Sequence, residues 1–247
     1  MRRMSKKRKS TLFSAVLVVI AAVCTYFFMG GPQFTKPDTG SQPGTAEAVS
    51  IPAPVEGQEL QIQYLDVGQA DASLIRLPNG QTMLIDAGGN ATADKLVEYL
   101  KSQGIQKIDF LIGTHPHEDH IGGLDKVVDA FDIGRIYLPK VADSQVPSTK
   151  TYEDVLTAID KKGLRVNQGK AGTVLFQSEE LSAELLAPNS DSYSGLNSYS
   201  IVVMLTYGEK KFLFMGDAEA DSEKEMLERF GNVEADVLKC GHHGSST

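Results

Sequence analysis

Six residues constrain this 247-residue chain more than any others. His115-Pro116-His117-Glu118-Asp119-His120 follows directly on the apolar run Phe110-Leu111-Ile112. Three imidazoles with Asp119 in so short a run belong on a loop that a buried strand delivers to one place. Imidazole is neutral near pH 7 and is the commonest transition-metal ligand. Imidazole together with carboxylate suits zinc, manganese or iron rather than calcium. On an extended loop alternate residues point one way, so His115 and His117 can hold one ion while Asp119 and His120 turn to a second. Ile121-Gly122-Gly123 reads as a flexible exit into a helix. The bland alternative, a solvated polar loop, leaves three imidazoles in six residues to chance.

Two further loops fit the same site. Phe212-Leu213-Phe214-Met215-Gly216-Asp217 places a carboxylate after a strand, where its two oxygens can bridge two ions. Taken alone, a Gly-Asp there is more often a turn or a helix cap. Val237-Leu238-Lys239-Cys240-Gly241-His242-His243-Gly244 places a His pair after another strand. All five histidines of the chain lie in these two His-bearing loops. Cys240 is read as a small buried residue at a strand end. With only Cys24 besides, no zinc-finger spacing exists, and their positions argue against a structural disulfide.

The surrounding pattern is α/β. Glu59 to Leu65 alternates as a strand. Ala72 to Leu77 and Gln81 to Asp86 flank Pro78-Asn79-Gly80, a hairpin signal. The spacing predicts helices over Ala91 to Gln103, Leu124 to Phe131, Tyr152 to Lys162 and Ala220 to Phe230. Gly104, Gly163 and Gly231 stop three of them. Further strands are predicted over Ile108 to Gly113, Arg135 to Leu138, Thr173 to Phe176, Leu181 to Leu186, Ser200 to Tyr207, Lys211 to Met215 and Asp236 to Cys240. A layered sandwich with helices outside is the natural architecture.

Charge divides the chain. Residues 1–30 carry six basic residues and no acid, leaving 18 basic against 32 acidic residues, a net of −14, in the remainder. Such a body repels polyanions at long range, so any action on nucleic acid requires a local cationic site. Arg2 to Lys9 precede Leu12 to Met29, 18 residues without a charge. As a helix that run is about 27 Å long, enough to cross the hydrocarbon core of a bilayer. Residues 1–29 therefore read as a signal peptide or a membrane anchor, with the body extracytoplasmic, secreted or tethered. Residues 30–58 hold five of the ten prolines and read as a flexible linker. Residues 59–247 form the body.

The combination resembles the metallo-β-lactamase superfamily. Leu65-Asp66-Val67-Gly68-Gln69-Ala70-Asp71-Ala72, Leu84-Ile85-Asp86-Ala87-Gly88, the run from Thr114 to Gly123 and Gly241-His242-His243-Gly244-Ser245 closely resemble one branch of it. That branch comprises the extracytoplasmic hydrolase domain of ComEC-type DNA-uptake competence proteins and stand-alone relatives. The resemblance implies an αββα four-layer sandwich, and because the family continues for another strand and helix past the His pair, the chain reads as one with its C-terminal part missing or as one that completes its second layer differently. It implies His115 and His117 on a first divalent ion, zinc or manganese, and Asp119 and His120 on a second. Asp217 lies between them, and either His242 or His243 completes the second site. Asp119 and Asp217 are the implied catalytic groups, Asp119 orienting the attacking water. Asp86 is implied as the support beneath the His loop. Asp66, Gln69 and Asp71 match the branch motif, with turn stabilisation as the alternative role. Many members carry a further His before the strand leading to Asp217. Here Asn197 and Ser198 stand there, as in the branch.

The resemblance implies a metal-dependent phosphodiesterase or nuclease acting on DNA. A hydrolase of small or surface-bound phosphodiesters, such as choline-phosphate esters, is the alternative. A non-catalytic metal-binding module is a third reading, and a β-lactamase is the least favoured. The membrane is a partner if the N-terminal segment is retained. Nothing in the sequence marks a protein partner.

Overall fold

The structure is a computed structural model that describes residues 50–245. The predicted signal or anchor segment and the linker up to residue 49 lie outside the described residues. Among the described residues, no helix is long and apolar enough to cross a membrane.

Two sheets carry the architecture. The first holds β1 (Gln61–Tyr64), β2 (Ser73–Arg76), β3 (Thr82–Ile85), β4 (Lys107–Ile112), β5 (Asp132–Pro139) and β6 (Val166–Gly169), in that spatial order. β1 to β3 are antiparallel, whereas β3 to β6 are parallel. The second sheet holds β7 (Val174–Gln177), β8 (Leu181–Ala187), β9 (Val202–Tyr207), β10 (Lys210–Phe214) and β11 (Val237–Lys239). It is antiparallel except for the parallel pair β10–β11.

Alternation along the strands decides the layers. Ile75, Met83, Ile85, Phe110 and Ile112 of the first sheet meet Leu175, Phe176, Val203, Leu205 and Phe214 of the second. The intervening Leu74, Leu84 and Leu111 face the helices α1 (Ala93–Ser102), α3 (Leu124–Ala130) and α4 (Lys150–Lys161). α2 (Glu118–Ile121) is the short turn inside the His loop. On the outside of the second sheet, Val202, Leu213 and Met215 pack with Met226 of α5 (Ala220–Phe230). The result is the expected αββα sandwich. α1 buries Ala93, Leu96 and Leu100, and α4 buries Tyr152, Val155, Leu156 and Ile159, each one stripe of a helix. The Asn79-Gly80 turn closes β2 on β3, with Gly80 at φ 84° and Leu77 N–H donating to Gln81 O at 2.8 Å.

Four features depart from the sequence expectation. β6 was not foreseen, because Val166-Asn167-Gln168-Gly169 carries too little apolar alternation to declare a strand. β5 starts at Asp132, ahead of Arg135, through exposed residues that give no burial signal. The end of the segment read as linker lies on the body. Ser50 bridges to Gln177, Ile51 joins the core between the sheets, and Val55 N–H donates to Pro78 O at 2.8 Å.

The fourth departure concerns the His loop. It is extended only to His117 and then turns helical at Glu118. Gly122 and Gly123 are not there for flexibility. A Cβ on Gly122 would lie 2.3 Å from Asn90 N and 2.6 Å from Gly89 C, and one on Gly123 would lie 2.3 Å from Ala87 O. Backbone occupies the space on both. Gly122→Ala is expected to destabilise the fold by about 3 kcal/mol, the upper range for overpacking. Urea unfolding of the two proteins measures it.

Candidate metal centre

Every loop of the site leaves an end of a strand. Asp86 follows β3, Thr114 and His115 follow shortly after β4, Asp217 follows β10, and His242-His243 follow β11. The β1–β2 loop adds Asp71 from the side. Parallel pairing of β3 with β4, and of β10 with β11, brings these ends to one edge.

Asp86 is the foundation. It is 2% exposed and stands at φ 60°, a left-handed position that Asp tolerates better than most side chains. Its Oδ1 accepts from Thr114 N–H and its Oδ2 from Thr114 Oγ1, both at 2.8 Å. Oδ2 also lies 2.8 Å from His120 Nδ1. One buried carboxylate thus fixes both ends of the His run.

Above it the donors form two groups. In the first, His115 Nε2 lies 3.0 Å from His117 Nδ1 and 3.8 Å from Asp217 Oδ2. In the second, His243 Nε2 lies 3.3 Å from His120 Nε2, 3.3 Å from Asp119 Oδ2 and 3.5 Å from Asp217 Oδ2. Asp217 Oδ1 stands 3.1 Å from His120 Nε2. Asp217 therefore belongs to both groups, held by its N–H donating to Ser200 Oγ at 3.0 Å.

The structure separates the His pair. His242 and His243 both adopt positive φ, 43° and 52°, and this turn sends their rings to different sides. His243 joins the second group. His242 Nδ1 instead lies 3.4 Å from Glu219 Oε1, and its Nε2 lies 3.4 Å from Asn197 Nδ2. His243→Ala is expected to weaken metal binding at least about 100-fold, at the top of the range for losing even a supporting group. His242→Ala is expected to retain wild-type affinity. Competition with a chromogenic chelator measures both.

The remaining candidates scatter. Asp71 approaches the centre, with Oδ1 3.6 Å from His243 Nδ1 and Oδ2 3.8 Å from His120 Nδ1. It is ion-paired with Lys239, whose Nζ also donates to Gly216 O at 3.1 Å. Asp66 Oδ1 accepts from Gly68 N–H at 3.3 Å, a turn contact, and Gln69 is exposed. Asn197 Nδ2 donates to Glu219 Oε1 at 2.8 Å, while Ser198 Oγ donates to Asp221. Cys240, expected to be buried, is exposed, because β11 is the edge strand of its sheet. In the sequence Lys239 reads as a phosphate contact or as a residue lying beside the sheet, and Glu219 gives no signal. A single Lys in a strand and a Glu two residues after Asp217 have no spacing that marks them.

Charge in the centre is set by burial and carboxylates. Burial first, then the neighbouring His120 and His117, holds the His115 imidazole well below its ordinary range. Burial also opposes charge on His120, but Asp86 and Asp217 outweigh it and raise the imidazole to about 10. For Asp217 burial is likewise outweighed, by His120, His243 and Lys239, and the carboxyl is held below its usual value. The two carboxylates that put a proton on His120 would equally draw a divalent cation.

The donor set fits such an ion. Asp71, His120, Asp217 and His243 each offer a ligand atom, and these atoms lie within 4.8 Å of one another. Asp217 Oδ1 is buried without a partner aligned for a hydrogen bond. Imidazole nitrogen with carboxylate oxygen is the chemistry of zinc, manganese or iron sites.

The sequence profile of the metallo-beta-lactamase superfamily matches residues 65–247. ComE operon protein 3 of Bacillus subtilis (strain 168) is 30% identical over 209 residues, covering 78% of this chain and 26% of that protein. Competence protein ComA of Neisseria gonorrhoeae is 26% identical over 198 residues, covering 79% of this chain and 25% of that protein. The chain thus spans about a quarter of the length of these relatives. Among solved structures, a metallo-beta-lactamase from Staphylococcus aureus subsp. aureus COL aligns over 78% of this chain and 57% of that one, at 16% identity and a TM-score of 0.48.

Proposed function

The chain belongs to the metallo-β-lactamase superfamily, whose members are metal-dependent hydrolases, and from that premise we propose that it is an extracytoplasmic phosphodiesterase that cleaves DNA. The observation that carries the proposal is the pair of donor groups joined at Asp217. Two divalent ions held there, zinc or manganese, would supply an activated water and take up charge developing on a phosphoryl oxygen.

The chain's own residues do the rest. His115, His117 and Asp217 would hold one ion, and Asp119, His120, His243 and Asp217 would hold the other. Asp119 is the most solvent-open of the acidic ligands, with its side chain 37% exposed, so it can accept a hydrogen bond from the attacking water and orient it. Asp86 keeps His120 Nδ1 engaged and leaves Nε2 to face the centre. Lys239 pairs with Asp71, which offers an oxygen to the second group from the side.

DNA as substrate is supported by relatives named for competence. The extracytoplasmic location is supported by the basic residues ahead of the apolar run in residues 1–29, and a retained segment would tether the body to the membrane. The test is cleavage of a fluorescent DNA with manganese, with zinc and with chelator. Chelator-sensitive cutting is expected.

The acidic body favours one second reading, hydrolysis of small or surface-bound phosphodiesters, since bulk charge repels DNA. Turnover of bis-p-nitrophenyl phosphate without any cutting of DNA would establish that reading in place of the first. Protease accessibility of the body in intact cells decides the location.

A further inference from the structure

An acidic hydrolase of DNA needs cations beyond its metal centre to hold the strand, and the first sheet places two of them in line with it. The parallel strands end along one edge in the order β3, β4, β5, β6. Ile112 of β4 is level with Tyr137 of β5, so His115 and Lys140 each stand three residues past that pair. Pro139 of β5 is level with Gly169 of β6, so Lys140 and Lys170 leave their strands side by side. Neighbouring strands lie about 4.8 Å apart, which sets the two lysines about 5 and 10 Å along the edge from the His115 strand. Both side chains reach solvent.

The lysines line a cavity of about 150 Å³ with Gln168, Ser190, Asp143 and Asp191. Asp191 already sits on one of them, its Oδ1 2.6 Å from Lys170 Nζ. Its carboxyl is held below the usual range by Lys170 first, with Lys140 a lesser contributor. The Asp191 side chain is 85% exposed, and exposed ion pairs of this kind add little stability. A phosphate can therefore displace it.

The backbone beneath is fixed. Tyr199 Oη accepts from Ala142 N–H at 3.3 Å and donates to Gln145 Oε1 at 2.7 Å, which pins the loop after Lys140. Tyr193 Oη accepts from Asn189 N–H and Ser190 N–H, both at 2.9 Å, which pins the residues before Asp191.

We infer that Lys140 and Lys170 bind successive phosphodiester groups on one side of the one that is cleaved, and that Asp191 holds Lys170 as a stand-in anion until the strand displaces it. The inference rests on the reading of DNA as the substrate. It would add two local cations to a body whose net charge outside residues 1–30 is −14.

The experiment compares the full chain with the double variant Lys140→Gln/Lys170→Gln and with Asp191→Asn. Each is assayed on a labelled single-stranded oligonucleotide and on bis-p-nitrophenyl phosphate, which has no flanking phosphate. The ratio of kcat/KM on the oligonucleotide to that on the small ester is expected to fall about tenfold in the double variant. Its salt dependence on the oligonucleotide is expected to flatten by about 0.7 in log–log slope per lysine. Asp191→Asn is expected to shift the ratio the other way, upward by about threefold, as the stand-in charge is lost. An unchanged ratio and slope, with DNA still cut, overturns the inference and leaves the proposed function standing. If the wild type cleaves the small ester and no DNA, the proposed substrate falls and this inference falls with it.

Discussion

Asp217→Ala is expected to lower metal-dependent hydrolysis by about a thousandfold, the scale of losing a principal transition-state contact. Its carboxylate is the group common to both sets of donors, with Oδ1 3.1 Å from His120 Nε2 and Oδ2 3.8 Å from His115 Nε2 and 3.5 Å from His243 Nε2. Among the described residues, no other carboxylate lies within 4 Å of histidines from both sets. The fold should survive, because the anchoring contact is made by the backbone N–H to Ser200 Oγ and not by the side chain. Metal content, measured on the folded variant by elemental analysis, is expected to fall with activity. Full turnover by this variant would refute the shared-carboxylate arrangement. Asp217→Asn refines the result. It keeps the shape and removes the charge, so metal binding should weaken while circular dichroism stays unchanged.

Asp86→Ala is the second large effect, and it acts on stability and metal affinity together. The carboxylate is buried and satisfies Thr114 N–H, Thr114 Oγ1 and His120 Nδ1. Its removal leaves buried donors without partners, each costing about 1–3 kcal/mol, so a loss of about 3 kcal/mol is expected in urea unfolding. Ala also tolerates φ 60° poorly. Metal affinity is expected to fall about 10–100-fold, the range for a lost support to a metal-binding histidine. Asp86→Asn separates the two effects. Its carbonyl can still accept from Thr114 N–H, so most stability should return. Its amide, turned to His120 Nδ1, donates where the carboxylate accepted. That forces the imidazole proton onto Nε2, the atom that must face the ion. A stable protein that binds metal poorly is the expected outcome, read by unfolding and by chelator competition.

How much of this was legible in the sequence depends on whether one residue's chemistry or several residues' placement carried the information. Pro78-Asn79-Gly80 between apolar runs declared its hairpin because a glycine readily takes the left-handed position that closes the turn, Gly80 standing at φ 84°. The apolar Phe110-Leu111-Ile112 ahead of the His run declared a buried strand feeding a loop. β6 stayed hidden because its Asn167 and Gln168 are only half-buried at the rim of the sheet, and pairing with β5 supplies what alternation does not. The helical turn at Glu118 is too short to show a period.

The choice between His242 and His243 could not be read at all. The two are chemically identical neighbours, and backbone dihedrals at the turn separate them. Asp71 and Asp66 carried equal weight in sequence. The register of the β1–β2 loop brings one beside His243 and leaves the other in its own turn. Glu219 had no signal, because its proximity to His242 comes from the loop after β10 folding back.

The two glycines that follow the His run have a consequence for anyone who would transplant it. Gly122 rests on Asn90 and Gly89, and Gly123 on Ala87, through backbone contacts that leave no space for a side chain. Ala87 N–H donates to His120 O at 2.8 Å and Gly123 N–H to Gly88 O at 3.2 Å, so the run and the turn after β3 are laced into one object. The six residues that look portable are half of a two-part casting. A graft onto another scaffold would have to carry residues 86–90 along with residues 114–123, in their native spacing, to reproduce the metal-binding geometry.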